Sequence, residues 1–198
     1  GRAGQVMFFA AIILLALQHF RDSQIKALIT SMLIIAFIFF TAYNTSTIFK
    51  DRFEDIRQHY IEYDEHPNTS IGHRITFVVN SFELYKNSPI LGQGTGDFPN
   101  EYKKINSINS PTVRTTVQPH NMYMLILAQL GILGISALFW DFYQQFKIAL
   151  TSKVQLVQHV GVAMPILFLI IMWSDSYLLG HYTGNLFILF SSFIYSKH

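Results

Sequence analysis

Charge-free runs divide this chain. No Asp, Glu, Lys or Arg lies between Arg2 and Arg21, Lys26 and Lys50, Arg114 and Asp141, Lys153 and Asp175, or Asp175 and Lys197, and each run holds 18 residues or more. A helix needs about 20 residues to cross the hydrocarbon core of a bilayer, so the pattern predicts an all-α, polytopic transmembrane helix bundle of about five spans. The last run is the weakest, because Gly180, His181 and Gly184 interrupt it and leave a good apolar stretch only from Asn185 to Tyr195.

The polar remainder is concentrated in one long segment, so the chain divides into residues 1–43 with two transmembrane helices and a short loop, 44–119 as a large extramembrane loop, and 120–198 as the carboxyl-terminal transmembrane helices. Two stretches of the loop carry helical periodicity. In "KDRFEDIRQHYIEY" Phe53, Ile56 and Tyr60 share a face, and in "SIGHRITFVVNSFELYKNSP" Ile71, Ile75, Val78, Phe82 and Tyr85 do. Both read as amphipathic helices along a membrane surface, the second capped by Ser70 and stopped by Asn87, Ser88 and Pro89. A glycine-punctuated turn follows, "PILGQGTGDFPNEY", then "KKINSINSPTVRTT", expected to be loosely ordered until Pro119 starts the next span.

Composition supports a lipid solvent: 51% of the 198 residues are hydrophobic and 13% charged, with 18 Phe and 10 Tyr, more apolar surface than a soluble domain of this length can hide. The net charge of +2, with no basic run, gives no nucleic-acid partner. Absence of Cys excludes disulfides, zinc thiolates and a Cys nucleophile. The chain starts at Gly1, already pointing into a span, and reads as a piece of a longer protein. Arg21 and Lys26 lie in one short connection, Lys147 and Lys153 in another and Lys197 at the tail, which puts those ends on the cytoplasmic side. The 44–119 loop, Arg2 and the turn near His181 then face the opposite side.

Three groups on that outer side carry chemistry. His120 and Asn121 stand in front of the apolar run in "QPHNMYMLILAQLGILG", Arg74 sits at the edge of the apolar stripe of the second loop helix, and Arg2 opens the first span. Taken singly, each has a plain structural reading: a histidine bonded to a neighbouring carbonyl at the start of a span, and two arginines snorkelling from apolar surface to lipid phosphate. Asp175 and His181 belong to the other outer turn and are open as further lining of the same cavity. "GQGTG" lacks the preceding strand and the Gly-Lys-Ser/Thr of a nucleotide loop. No His-Glu-x-x-His or Gly-x-Ser-x-Gly occurs, and His59, His66 and His73 are interrupted by Pro67, so no metal site or serine-hydrolase elbow is expected.

In order along the chain, however, the elements resemble the O-antigen ligase and O-antigen polymerase superfamily of bacterial envelope glycan enzymes. The matching residues are Arg2 in "GRAG", Arg74 in the loop helix, Pro89 with Gly92, Gly94 and Gly96, then His120, Asn121, Tyr123, Gly131, Ile132 and Gly134. The resemblance covers nearly all of this chain and about the carboxyl half of a typical member. The aromatic that follows the loop arginine in the family has Phe77 as its nearest counterpart.

The resemblance implies a GT-C-like membrane glycosyltransferase of the bacterial inner membrane with its loop subdomain and active site facing the periplasm. Its donor partner would be an undecaprenyl-diphosphate-linked glycan and its acceptor a sugar hydroxyl of lipid A core, met within the lipid bilayer with no cofactor. On that basis His120, Arg74 and Arg2 are the catalytic candidates, and Asn121, Gly92, Gly94 and Tyr123 the substrate-binding ones. The chemistry agrees: a lipid diphosphate leaving group needs charge stabilisation, which two guanidinium forks supply, while the acceptor hydroxyl needs a base such as a neutral His. An O-antigen polymerase, a protein O-oligosaccharyltransferase and, from another class, a non-enzymatic transporter stay open as alternatives.

Overall fold

A computed structural model describes residues 2–51 and 70–196 of the chain, and every regular element among the described residues is helical. The chain forms two compact units, residues 1–71 and 72–198. The loop helix expected around residues 50–63 lies almost wholly outside the described residues.

The first unit contains α1 (Arg2–His19) and α2 (Gln24–Thr45), packed as a hairpin. Ser23 caps α2, its Oγ accepting from Lys26 N at 3.4 Å. Only small side chains are buried where the helices meet, namely Ala16, Ala27 and Ser31. Large apolar side chains point outward instead, Phe37 being 72% exposed. Small residues inside and Phe, Met and Ile outside is the arrangement of helices that pack against each other in lipid.

The second unit contains α3 (Ser70–Asn87), α4 (Phe98–Asn109), α5 (Met122–Thr151), α6 (Gln155–Ile171) and α7 (His181–Ile194). Among the described residues two helices, α2 and α5, are long and apolar enough to cross a membrane, while α1 and α6 are apolar but shorter. The expected fifth span coincides with the 14-residue α7.

α3 runs from Ser70, the first described residue after position 51, to Asn87, where its stop signals predict an end, but its buried face differs from the predicted stripe. Ile75 and Phe82 are exposed, and Phe77, Asn80, Ser81 and Leu84 are buried. Polar residues can hold that face because they are satisfied, Ser81 Oγ donating to Phe77 O on its own helix at 2.6 Å and Asn80 pairing with α4. Asn80 Nδ2 donates to Asn106 Oδ1 at 3.2 Å, Tyr102 OH donates to the same oxygen at 3.3 Å, and Asn106 Nδ2 donates to Val113 O at 2.8 Å. Burial raises the Tyr102 phenol above its ordinary pKa, partly offset by the hydrogen bond from Asn80. α4 itself corrects the expectation of loose order after residue 103. Pro99 favours the first turn, and Phe98, Tyr102 and Asn106 recur every four residues to form its buried face.

α5 is broken inside its apolar run. Gly131 has φ 62° and ψ −156°, and the turn after α3 docks into the break. Gln93 N donates to Ala128 O at 2.8 Å and Gly94 N to Gln129 O at 3.0 Å, while Ile132 N donates to Pro89 O at 2.9 Å and Leu133 N to Ile90 O at 3.4 Å. An unbroken helix would pair Ile132 N with Ala128 O and Leu133 N with Gln129 O. The turn thus takes up the four groups that the break releases. The approach needs glycine on both sides, since a Cβ on Gly92 would lie 2.3 Å from Gln129 C, and one on Gly131 2.4 Å from Ile90 O.

Candidate active site

Four consecutive residues at the start of α5 are tied to the end of α6 and the turn that follows it. His120 Nδ1 lies 3.0 Å from Asp175 Oδ1, Asn121 Nδ2 donates to Trp173 O at 3.3 Å, Met122 N donates to Met172 O at 2.9 Å, and Tyr123 OH donates to Leu169 O at 2.6 Å. Asn121 is also the N-cap of α5, its Oδ1 accepting from Met124 N at 3.1 Å. These bonds fix the position of the His120 backbone to within one helical turn. That backbone has φ 52°, a left-handed conformation in which histidine is uncommon. Strain of this kind persists where surrounding contacts hold it, and it gathers at functional sites.

Asp175 decides which imidazole nitrogen is available. A carboxylate only accepts hydrogen bonds, so in the neutral imidazole the 3.0 Å contact assigns the proton to Nδ1 and leaves Nε2 as the acceptor. The carboxylate is oriented in turn, since Asp175 Oδ1 also accepts from Ser176 N at 2.8 Å. Both side chains remain about 30% exposed, at 29% for His120 and 33% for Asp175, so a polar reactant can reach the pair. The arrangement is an imidazole oriented by a carboxylate and chemically able to accept a proton.

α3 approaches the same imidazole from the side. Phe77 is buried and stacks on His120 with ring centroids 6.0 Å apart, and His73 stacks at 5.9 Å on Phe77. Arg74 precedes Phe77 by three residues, nearly one helical turn, so the stack brings the helix carrying Arg74 to the imidazole. Arg74 is exposed and forms no hydrogen bond or ion pair with any described residue. Arg2 is the first residue of α1, in the other unit.

The remaining predicted site residues meet protein. Asn121 and Tyr123 use their side-chain polar groups on Trp173, Met124 and Leu169, and Gly92 and Gly94 lie against α5 through the docked turn. His181 is exposed at the start of α7. Sequence reasoning named Phe77 only as the nearest counterpart of a family aromatic and left Asp175 open as cavity lining beside His181; the pairing of Asp175 with His120 was missed. Asp175 carried a signal of its own, as the lone carboxylate between two long charge-free runs.

A family model described as O-antigen ligase matches residues 1–139, a range that includes His120 and both arginines and stops before Asp175. No curated protein gives a significant match.

Proposed function

Since the chain belongs to the O-antigen ligase family, we propose that it transfers a glycan from undecaprenyl diphosphate to a sugar hydroxyl of lipid A core, at the periplasmic face of the bacterial inner membrane. The observation that carries this reading is the His120–Asp175 pair at the mouth of α5. His120 Nε2 takes the proton of the acceptor hydroxyl as its oxygen attacks the anomeric carbon. The bond from that carbon to the diphosphate oxygen breaks in the same displacement, and its electron pair leaves with the diphosphate. Arg74 and Arg2 bind the departing phosphates through charge-assisted, bidentate bonds. Asn121 and Tyr123 act by holding the base in register with Asp175, and Phe77 supports the imidazole face. His120 stands at the end of a span because its donor is anchored in the bilayer while the acceptor sugar projects into water.

The test is transfer from a lipid-linked donor to lipid A core by purified full-length enzyme, in chelator, comparing wild type with His120→Gln. Gln keeps a hydrogen bond but takes no proton, so the rate should fall by about 100- to 10,000-fold. Near-equal rates would remove His120 as the base. Wild-type activity that vanished in chelator and returned with magnesium would replace this mechanism by a metal-assisted one. Product made only by joining two lipid-linked glycans would mark a polymerase instead.

A further inference from the structure

The docked turn has a second side, which faces away from α5. We propose that its tip, Ile90 and Leu91, is a re-entrant lipid contact, inserted among acyl chains of the non-cytoplasmic leaflet. The proposal rests on the reading of α5 as a membrane span.

Position is the first support. The turn bonds to residues 128–133 of α5, well inside the helix that starts at Met122. At 1.5 Å per residue those bonds fall about 9 to 16 Å along the axis. The turn therefore meets the apolar body of the span, beyond its polar end. Exposure is the second. Ile90 is 62% and Leu91 68% exposed, and they adjoin Ile132 and Leu133, also exposed, on the face of α5 to which the turn is bonded. No charged residue occurs between Lys86 and Asp97.

Backbone accounting is the third support. Irregular backbone is tolerated at membrane depth where protein satisfies its polar groups. Here Pro89 O and Ile90 O accept from α5, Gln93 N and Gly94 N donate to it, Gly92 N donates to Ser88 O at 2.9 Å and Pro89 has no N–H to satisfy. Ile90 N and Leu91 N are left for headgroup oxygens or water, which limits the tip to the outermost part of the acyl-chain layer. The Gln93 side chain is also held, Nε2 donating to Leu84 O at 2.9 Å.

The nearest charges turn away from the tip. Lys86 Nζ bonds Glu83 Oε1 at 2.8 Å and sits 5.2 Å above the Phe82 ring, so the ammonium is directed back along α3. That is the geometry of a snorkelling lysine whose stem lies in the apolar layer and whose head reaches the headgroups. The charge of the Glu83–Lys86 pair is thereby kept away from the tip.

The experiment uses the complete protein with single cysteines at Leu91, Leu133 and Ser107, each spin-labelled after reconstitution into phosphatidylethanolamine–phosphatidylglycerol vesicles. Collision rates with oxygen and with a water-soluble nickel chelate are then measured at each site. Ser107 is exposed on α4 and reports water, and Leu133 reports the span. The expected result is that Leu91 behaves like Leu133, with nickel collisions several-fold fewer than at Ser107 and oxygen collisions correspondingly higher. A Leu91 label as open to nickel as Ser107 would overturn the re-entrant contact while leaving the span intact. A label shielded from both reagents would overturn it in favour of cover by protein. Nickel access at Leu133 would overturn the reading of α5 as a span, a different failure. All three positions are exposed, so the label itself does not strain the fold.

Discussion

Replacing Gly92 by Ala tests the docking of the turn into α5. The added Cβ would lie 2.3 Å from Gln129 C and 2.4 Å from Leu130 N, whereas ordinary contact begins at 3.4 Å. The turn must therefore retreat by about 1 Å, because the obstacle is backbone and has no rotamer to change. A retreat of that size takes Gln93 N···Ala128 O, now 2.8 Å, and Gly94 N···Gln129 O, now 3.0 Å, out of hydrogen-bonding range. With a net contribution of about 1 kcal/mol per bond and a further penalty for buried groups left unpaired, the loss comes to about 3 kcal/mol. Gly92 has φ +71°, so alanine also carries left-handed strain there. Gly96→Ala is the control for that strain. Its φ is +91° and nothing lies within 4 Å of the added Cβ. The assay is hydrogen–deuterium exchange of purified protein in nanodiscs, read at the peptide containing Gln93 and Gly94. Exchange there should be about 100-fold faster in Gly92→Ala than in Gly96→Ala, the rate equivalent of roughly 3 kcal/mol. Equal protection in the two variants would refute the docked geometry.

Asp175→Asn should leave donor KM unchanged and lower kcat by about 100-fold or more, because an amide that donates to Nδ1 puts the imidazole proton on Nε2 and removes the base. The double variant with His120→Gln should be no slower than the single one, since both act on one proton transfer; additive losses would separate the two residues. Arg74→Ala should abolish transfer with membrane insertion intact, and Arg74→Lys should recover only part of it, whereas a normal rate for Arg74→Ala would leave that arginine a snorkelling anchor. Cysteine at Ser107 should react with an impermeant thiol reagent added from the periplasm and cysteine at Lys153 should not; the reverse pattern would overturn the orientation.

What could be read beforehand depended on how local the cause was. The carboxyl end of α3 follows from Asn87 and Pro89, whose effects reach only a turn or two. Its buried face was misread because periodicity counts apolar residues, and Asn80 and Ser81 are buried through partners on α4 or on their own helix. The same network hid α4, whose stripe of Phe98, Tyr102 and Asn106 is only two-thirds apolar. His120 was visible as a polar group before an apolar run. Its pairing with Asp175 spans 55 residues, and no pattern in one sequence specifies that. Gly92 and Gly131 were each legible as punctuation, whereas their meeting face to face required coordinates.

The break in α5 also constrains the order of assembly. Residues 88–94 leave the ribosome before residues 128–133, so the turn exists before the helix it fills. Were α5 to enter the bilayer already broken, Ala128 O, Gln129 O, Ile132 N and Leu133 N would each face hydrocarbon unpaired, at several kcal/mol per group. Insertion therefore proceeds with α5 as a continuous helix, and Gly131 passes to its left-handed conformation only when the turn arrives to exchange two bonds within the helix for four across the contact. The glycine at that position serves the chain twice, first as a residue that a membrane helix accepts and then as the break into which the turn docks.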